Sequence, residues 1–577
     1  MFVTDVFPVP MILAGVAACA TRAGRRVARW IRRGAEIATR SRGMSIVGVA
    51  IFAIAAAAAY STWVRRPLPA VHDEFSYLLS ADTFAQGRLT NPTPAMWRHL
   101  ETIHEIMQPT YASKYPPGPG LVMALGQVIT GRPIVGVWLA AGAGAAAVYW
   151  MMLGWMPRRW ALLGALLVTM DGPVFQWSQG YWGGSLAMAG GALVVGAWIR
   201  LMERPRVGAA LWLGIGTAIL ANTRPFEGLL VLAPVLAILG WRWISGMRWP
   251  GSAAGTRWAG STRSDIRSDI LWRLAVPWVA VAGVSSGLML MYNKSVTGHA
   301  LTMPYMIHEE QVATVPSFLF QSLRPAPAAT AYAFDEIRDQ HLVYERKFYD
   351  QGRAQPVSYL LDKVSDLCAG GPQSGDGFFG GMGLPFALVA LPWLLRRDRR
   401  AAWAVLMLLP LGAGVALETF MHSHYVAPGV GLVFLVLMQS LRYLCTWQRG
   451  RRVGQMLAWA VVLISAHGEF TSLHQLAHGI WGDREIARPR QHVVDFLSRQ
   501  PGKQLVLVRY PPDHGPETEW VYNAADIDGS KIVWAHDLPG GNAEIRDYYR
   551  DRTVWLLEVA NKPAADIIPV PYPSDRP

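Results

Sequence analysis

The residue types that could do chemistry fall in a few short runs. His72-Asp73-Glu74-Phe75-Ser76-Tyr77 sets two adjacent carboxylates a few residues beyond a long apolar stretch. Carboxylates at a bilayer surface are costly unless solvated or paired. The run therefore reads as a solvated turn, as a helix start where acids suit the dipole, or as an acid–base centre. Further on, Ser113-Lys114-Tyr115-Pro116-Pro117-Gly118-Pro119-Gly120 puts a lysine beside a rigid turn. Its ammonium is either an anchor that snorkels to the interface or a point charge for a phosphate. Arg224, in Asn222-Thr223-Arg224-Pro225-Phe226-Glu227-Gly228, is a second phosphate candidate, or else half of an Arg224–Glu227 pair closing a tight turn. In Glu418-Thr419-Phe420-Met421-His422-Ser423-His424-Tyr425, the side chains His422, His424 and Tyr425 suit hydrogen bonds to a pyranose or a phosphate. His-x-His also suits a metal, but three protein ligands are usual and the sequence offers no convincing third. Tyr181 and Trp182 could stack on a sugar face or serve as interfacial belt aromatics.

The elements that position these runs are membrane helices. Of the 577 residues, 52% are hydrophobic and only 16% charged, with mean hydropathy +0.21. The apolar residues come in blocks near the ~20 residues that a membrane-spanning helix needs. A soluble enzyme, a disordered chain and a fibrous protein are excluded. The blocks predict about eleven helices, several shorter than that ideal: Met44–Val64, Pro133–Trp155, Trp160–Phe175, Gly184–Leu201, Val207–Ala221, Gly228–Trp243, Leu274–Tyr292, Phe379–Leu395, Ala401–Leu417, Pro428–Leu444 and Val453–Phe470. With residues 1–43 as a basic cytoplasmic segment, every inside connection is net basic, from Arg158 and Arg159 to Arg451 and Arg452. That is the positive-inside rule. It accounts for the net charge of +13 without a nucleic-acid partner. Cys19, Cys368 and Cys445 lie too far apart in sequence to suggest a disulfide framework.

The outside connections, chiefly 65–132 and 293–378, then hold nearly all the clustered acids and histidines. A mobile lid or plain interfacial helices both fit 293–378, with its Tyr344-Glu345-Arg346-Lys347 cluster and glycine-rich Gly370–Gly383. Residues 1–20 hold a short apolar run without a charged n-region, so no cleaved signal is expected. Ser252–Ser268 reads as a flexible basic loop. Past Thr471 the pattern changes: Lys503–Tyr510, Lys531–Ala535 and Val554–Val559 read as strands, with helical spacing in Glu485–Gln500 and Asn542–Arg552. A small periplasmic α/β domain with a parallel sheet is expected over 471–577.

Asp73-Glu74-x-x-Tyr77 in the first outer loop, Gly87, and Lys114 with Pro116-Pro117 before a helix together resemble the GT-C membrane glycosyltransferases. The likeness is to the branch of the lipid A aminoarabinose transferase and the protein O-mannosyltransferases. It covers 44–470 in architecture and only these two runs in motif. What the resemblance implies is a polytopic α-helical enzyme of the bacterial inner membrane, active at the periplasmic face. Its donor would be a polyprenyl-phosphate sugar and its acceptor a cell-envelope glycan, lipid or protein. Carried over by residue, Asp73 matches the catalytic carboxylate, with Glu74 assisting, and Lys114 matches the donor-phosphate lysine; Arg224 joins it from the reading above. Tyr77, Tyr181, His422, His424 and Tyr425 are then substrate-binding candidates. The chain departs from the metal-dependent oligosaccharyltransferase pattern, because Gln176–Gly183 has no Asp-x-Asp. No obligatory metal or other cofactor is therefore expected, with Asp171 the one substitute acid nearby. The rival reading is a transporter or flippase of a lipid-linked saccharide, for which polar residues near the membrane midplane would be expected instead.

Overall fold

The computed structural model describes residues 21–573, apart from 246–262, 326, 328–331, 333, 372–374, 379–383, 448–450, 479–485, 513, 516–518, 539 and 560–566. The apolar run before residue 21, most of Ser252–Ser268 and part of Gly370–Gly383 lie outside these residues.

The chain enters through α1 (Arg22–Ala38) and the first span, α2 (Arg42–Trp63). The first outer loop carries α3 (His72–Ala85), three short strands, β1 (Asn91–Pro92), β2 (Glu105–Ile106) and β3 (Thr110–Ser113), and α4 (Pro117–Thr130). There follow α5 (Pro133–Met152), α6 (Arg158–Met170), α7 (Gly184–Glu203), α8 (Val207–Ala221), α9 (Pro225–Ser245) and α10 (Arg267–Thr297). The second large loop opens with α11 (Pro304–Val312), and α12 (Arg399–Leu417), α13 (Ala427–Thr446) and α14 (Arg452–Ala477) complete the bundle.

Among the described residues, eight helices are long and apolar enough to cross a membrane, namely α2, α5, α7, α9, α10, α12, α13 and α14. Eight of the about eleven expected apolar blocks of this multi-pass helical protein thus form full-length spans. The other three apolar blocks form shorter elements, for local reasons. Trp160–Phe175 stops being one helix at Met170 because Asp171 leaves helical geometry and Gly172-Pro173 starts a new short helix. Val207–Ala221 is helical but only 15 residues long. Phe379–Leu395, whose first residues are not described, becomes a 3-10 turn over Leu384–Ala390 and a short helix over Leu391–Arg397, each carrying a proline.

The centre of the bundle is α7, which packs against α5, α8 and α13. Lipid offers no hydrophobic drive between helices, so close approach through small residues must supply the contact. At Gly191 that approach is extreme: a methyl group there would lie 1.8 Å from the Pro428 carbonyl oxygen.

The two ends of the bundle differ. At one end, the Arg158 guanidinium donates to the carbonyls of Thr39 and Arg40 at 3.1 and 2.7 Å. At the other, the far end of α2 is tied to the second outer connection, residues 176–183, by Ser61 Oγ and Gln179 Oε1, 2.8 Å apart. From that end the chain runs into α3.

The tail begins later than expected, because α14 continues to Ala477. It forms α15 (Arg488–Arg499), β4 (Lys503–Arg509), β5 (Ile532–His536), a short helix Asn542–Tyr548, β6 (Arg552–Glu558) and β7 (Val570–Pro571). Strand order is β5-β4-β6-β7, parallel except for the β6/β7 pair. Alternation along β4 divides its two faces. Val506 and Val508 pack with Val493 and Leu497 of α15, whereas Leu505 and Leu507 share a cluster with Leu79, Leu100 and Tyr111 of the first outer loop. The tail's sheet is therefore one wall of the loop that carries Asp73.

Candidate active site

The first turn of α3 has no side-chain N-cap, and Asp73 supplies its negative charge instead. The two acids then part company. Glu74, 1% exposed, accepts from the Ala70 amide at Oε2 and the Tyr181 amide at Oε1, both at 2.7 Å. It joins the entry to α3 to the second outer connection. Gly180 allows this approach, since a Cβ there would sit 2.4 Å from Glu74 Oε1. Burial pushes the Glu74 carboxyl up to about 7, against the pull of the two amides.

Asp73 faces a cavity of about 720 Å³. Its Oδ1 lies 2.6 Å from His104 Nδ1 and also accepts from the Tyr115 hydroxyl. Burial by itself would raise this carboxyl. The His104 contact, helped by His72 and Lys114, outweighs burial and holds it well below the usual carboxylate range. Burial and the Lys114 ammonium in turn keep His104 well below its ordinary value, so it is neutral near pH 7 and serves Asp73 as an Nδ1–H donor. The backbone aims this ring. His104 has φ +66°, its carbonyl accepts from Ser76 Oγ at 2.7 Å and from the Lys114 amide at 3.3 Å, and Ser76 Oγ also meets Ser113 Oγ at 2.7 Å. The hairpin of β2 and β3 is thus pinned to α3, which brings His104 and Lys114 to the same cavity.

Lys114 lines the cavity with its Nζ 5.3 Å from the Tyr115 ring centre and 5.7 Å from that of Tyr305. Among the described residues its ammonium has no hydrogen-bond partner. Burial lowers its pKa, opposed by Asp73, Glu345 and Glu309. Across the cavity, Arg224 lies 4.3 Å over the Tyr425 ring and 3.4 Å from Glu227 Oε1. The two readings of Arg224 are therefore compatible, because the ion pair forms at the cavity wall. Asn222 fixes that wall, its carbonyl accepting from the Gly118 amide at 2.8 Å. His422, His424 and Tyr425 line the same space, the two imidazoles stacked with centres 5.7 Å apart. Tyr77 also lines it, 4.6 Å from Tyr115. Glu74 and Tyr181 are not among the lining residues; Tyr181 meets the site through its backbone amide.

Sequence reasoning assigned no role to seven of the polar residues in the wall. His72, His104, Tyr115, Tyr305, His308, Gln340 and His341 all line the cavity. His104 carries no spacing signal, since it reaches Asp73 across 31 residues of loop. The rest of the missed set comes largely from the second large loop, which packs as a wall: the Leu319 amide donates to the Leu417 carbonyl at 2.9 Å and the Thr419 amide to Ser317 at 2.8 Å. Among the described residues no group of three or more His, Cys, Asp or Glu side chains converges on a metal-sized site.

The tail grips α3 on a different side from Asp73. Phe75 stacks on Tyr522 at 4.1 Å, and Arg490 lies between Phe75 and Trp534, 4.9 and 4.6 Å from their ring centres. Asp82 Oδ2 accepts from the Ala525 amide at 2.8 Å.

No family model and no curated protein matches the chain. Among solved structures it is similar to ArnT from Cupriavidus metallidurans in the apo state, at 11% identity and TM-score 0.49 over 89% of this chain and 92% of that one. ArnT from the same organism bound to undecaprenyl phosphate gives TM-score 0.46 at the same identity and coverage. The archaeal oligosaccharyltransferase AglB from Archaeoglobus fulgidus, in complex with an inhibitory peptide and a dolichol-phosphate, gives TM-score 0.46 at 12% identity over 90% of this chain and 70% of that one.

Proposed function

We propose that this chain is a GT-C-type glycosyltransferase that moves one sugar from a polyprenyl-phosphate donor to an acceptor at the periplasmic face of the bacterial inner membrane. The observation that carries this reading is a carboxylate, Asp73, held by His104 and Tyr115 and sharing one cavity with Lys114 and Arg224. Such a set matches the charges of a direct displacement. The acceptor hydroxyl gives its proton to Asp73 while its oxygen bonds to the anomeric carbon. The bond from that carbon to the phosphate oxygen breaks, and its electron pair leaves on the phosphate. Lys114 and Arg224 hold the phosphate as its negative charge grows. A phosphate leaves readily, so one carboxylate suffices, the anomeric configuration inverts, and no glycosyl-enzyme forms.

His104 and Tyr115 keep Asp73 ionised, and Glu74 acts as the tie that sets the angle of α3. Tyr77, His422, His424 and Tyr425 are placed to contact the sugar. The donor's tail also has a route. One wall of the cavity is the end of α10 at Met289, Tyr292 and Asn293, and only 6% of that helix's apolar window is buried inside the protein. A polyprenyl chain entering beside α10 stays in hydrocarbon while its phosphate reaches Lys114.

The test is turnover by purified protein in detergent, given a panel of polyprenyl-phosphate sugars and acceptor lipids. Release of polyprenyl phosphate from one donor, with no membrane to cross, supports a transferase. Donor binding with no release under any acceptor refutes it and favours the transporter.

A further inference from the structure

The helix α1 plays no part in the cavity, and its surface is built for something other than this protein. Arg22, Arg25, Arg26, Arg29, Arg32 and Arg33 recur at spacings that gather them on one face, with Glu36 the single acid of the helix. Ala23, Val27, Trp30, Ile31, Ile37 and Ala38 gather on the opposite face. No residue of α1 is buried, and the large apolar ones are open: Trp30 77%, Ile37 58%, Val27 57% and Ile31 45% exposed. An apolar stripe of this size facing water would be unfavourable.

The position of α1 is fixed at its C-terminal end. Arg158 holds the carbonyls of Thr39 and Arg40, Ser45 Oγ donates to the Ala38 carbonyl at 2.8 Å, and Arg159 lies 3.3 Å from Glu36. These contacts tie α1 to the starts of α2 and α6, at the bundle end opposite Asp73.

We propose that α1 docks on the membrane's own surface, with the Val27–Trp30–Ile31–Ile37 face sunk among the acyl chains and the arginine face bound to anionic lipid headgroups. The charge balance selects the partner: six guanidiniums against one carboxylate fit an anionic surface, and the opposed apolar stripe fits a bilayer. The proposal stands whether or not the chain transfers a sugar.

Hydrogen exchange of residues 22–38 tests it, using the full-length protein in lipid nanodiscs of phosphatidylcholine alone or mixed with phosphatidylglycerol. Amides of α1 are expected to exchange about tenfold or more slower in the anionic discs. The variant R25Q/R29Q/R32Q/R33Q should lose that difference while α5 and α7 keep their protection, which shows that the bundle is folded. Equal exchange in the two lipids would overturn the headgroup contact, and fast exchange in both would overturn docking altogether.

Discussion

Replacing His104 by leucine removes the Nδ1–H donor from Asp73 while keeping a side chain of similar bulk. The bond is 2.6 Å long, charge-assisted and partly buried, with His104 8% exposed. Hydrogen bonds to charged groups contribute about 1.5–3 kcal/mol, or about 10- to 150-fold in a population or rate. Burial alone drives the Asp73 carboxyl upward, and His104 is the main force against it. Without the donor, the ionised form is favoured less and the pKa rises. A base must be ionised to accept a proton, so the acid limb of the transfer rate moves to higher pH. The stability that depends on a depressed carboxyl, present above the unfolded pKa and lost as pH falls through the folded one, shrinks in the same variant. His104→Asn is the control: its amide can donate from nearly the same position, and asparagine accepts a positive φ such as the +66° here. The assay is kcat against pH for wild type, H104L and H104N with one donor. H104L with a wild-type rate and an unshifted acid limb would refute the coupling of His104 to Asp73.

Lys114→Met should raise the donor KM about 10- to 100-fold while sparing the affinity of a sugar acceptor that lacks phosphate, as measured by initial rates. Gly180→Ala must move either the Glu74 carboxylate or the second outer connection, because the new methyl lies 2.4 Å from Oε1; a loss of about 1–3 kcal/mol is expected in denaturant unfolding, and no loss would show that the tie is slack. Glu74→Gln reports on a buried acid: Glu74 titrates at about 7 when folded and 4.5 by itself, so the native state holds its proton while the unfolded state gives it up. Wild type should therefore lose about 2–4 kcal/mol relative to E74Q as pH rises from 4.5 to 7, visible as a narrowing or reversal of their Tm difference.

The spans were legible because about twenty consecutive apolar residues have few alternatives to a membrane helix, as at Gly184–Glu203. Two of the expected blocks are interrupted by short-range breakers, Gly172-Pro173 and Pro385 with Pro392, which their apolar length hid. The parallel strands of the tail were legible by the same logic of alternation and turns. The site was legible only where chemistry coincided with local pattern: Asp73 and Lys114 sit in runs that stand out, and the structure brings them to one cavity with Arg224. Glu74 is adjacent to Asp73 in sequence, yet on a helix consecutive side chains point about 100° apart, and it serves backbone amides. His104, His308 and His341 reach the cavity through loop packing, which no period in the sequence announces.

The most direct test of the central claim is a comparison of wild type with Asp73→Asn, in detergent, against the donor that wild type consumes. Both should be stabilised by that donor in thermal unfolding, since Lys114 and Arg224 are untouched. Only wild type should release polyprenyl phosphate, with the variant slower by about 100-fold or more, as expected when a general base is lost. Transfer by Asp73→Asn at a near-normal rate would contradict the account, because the carboxylate around which the cavity is built would then not be the group that takes the proton.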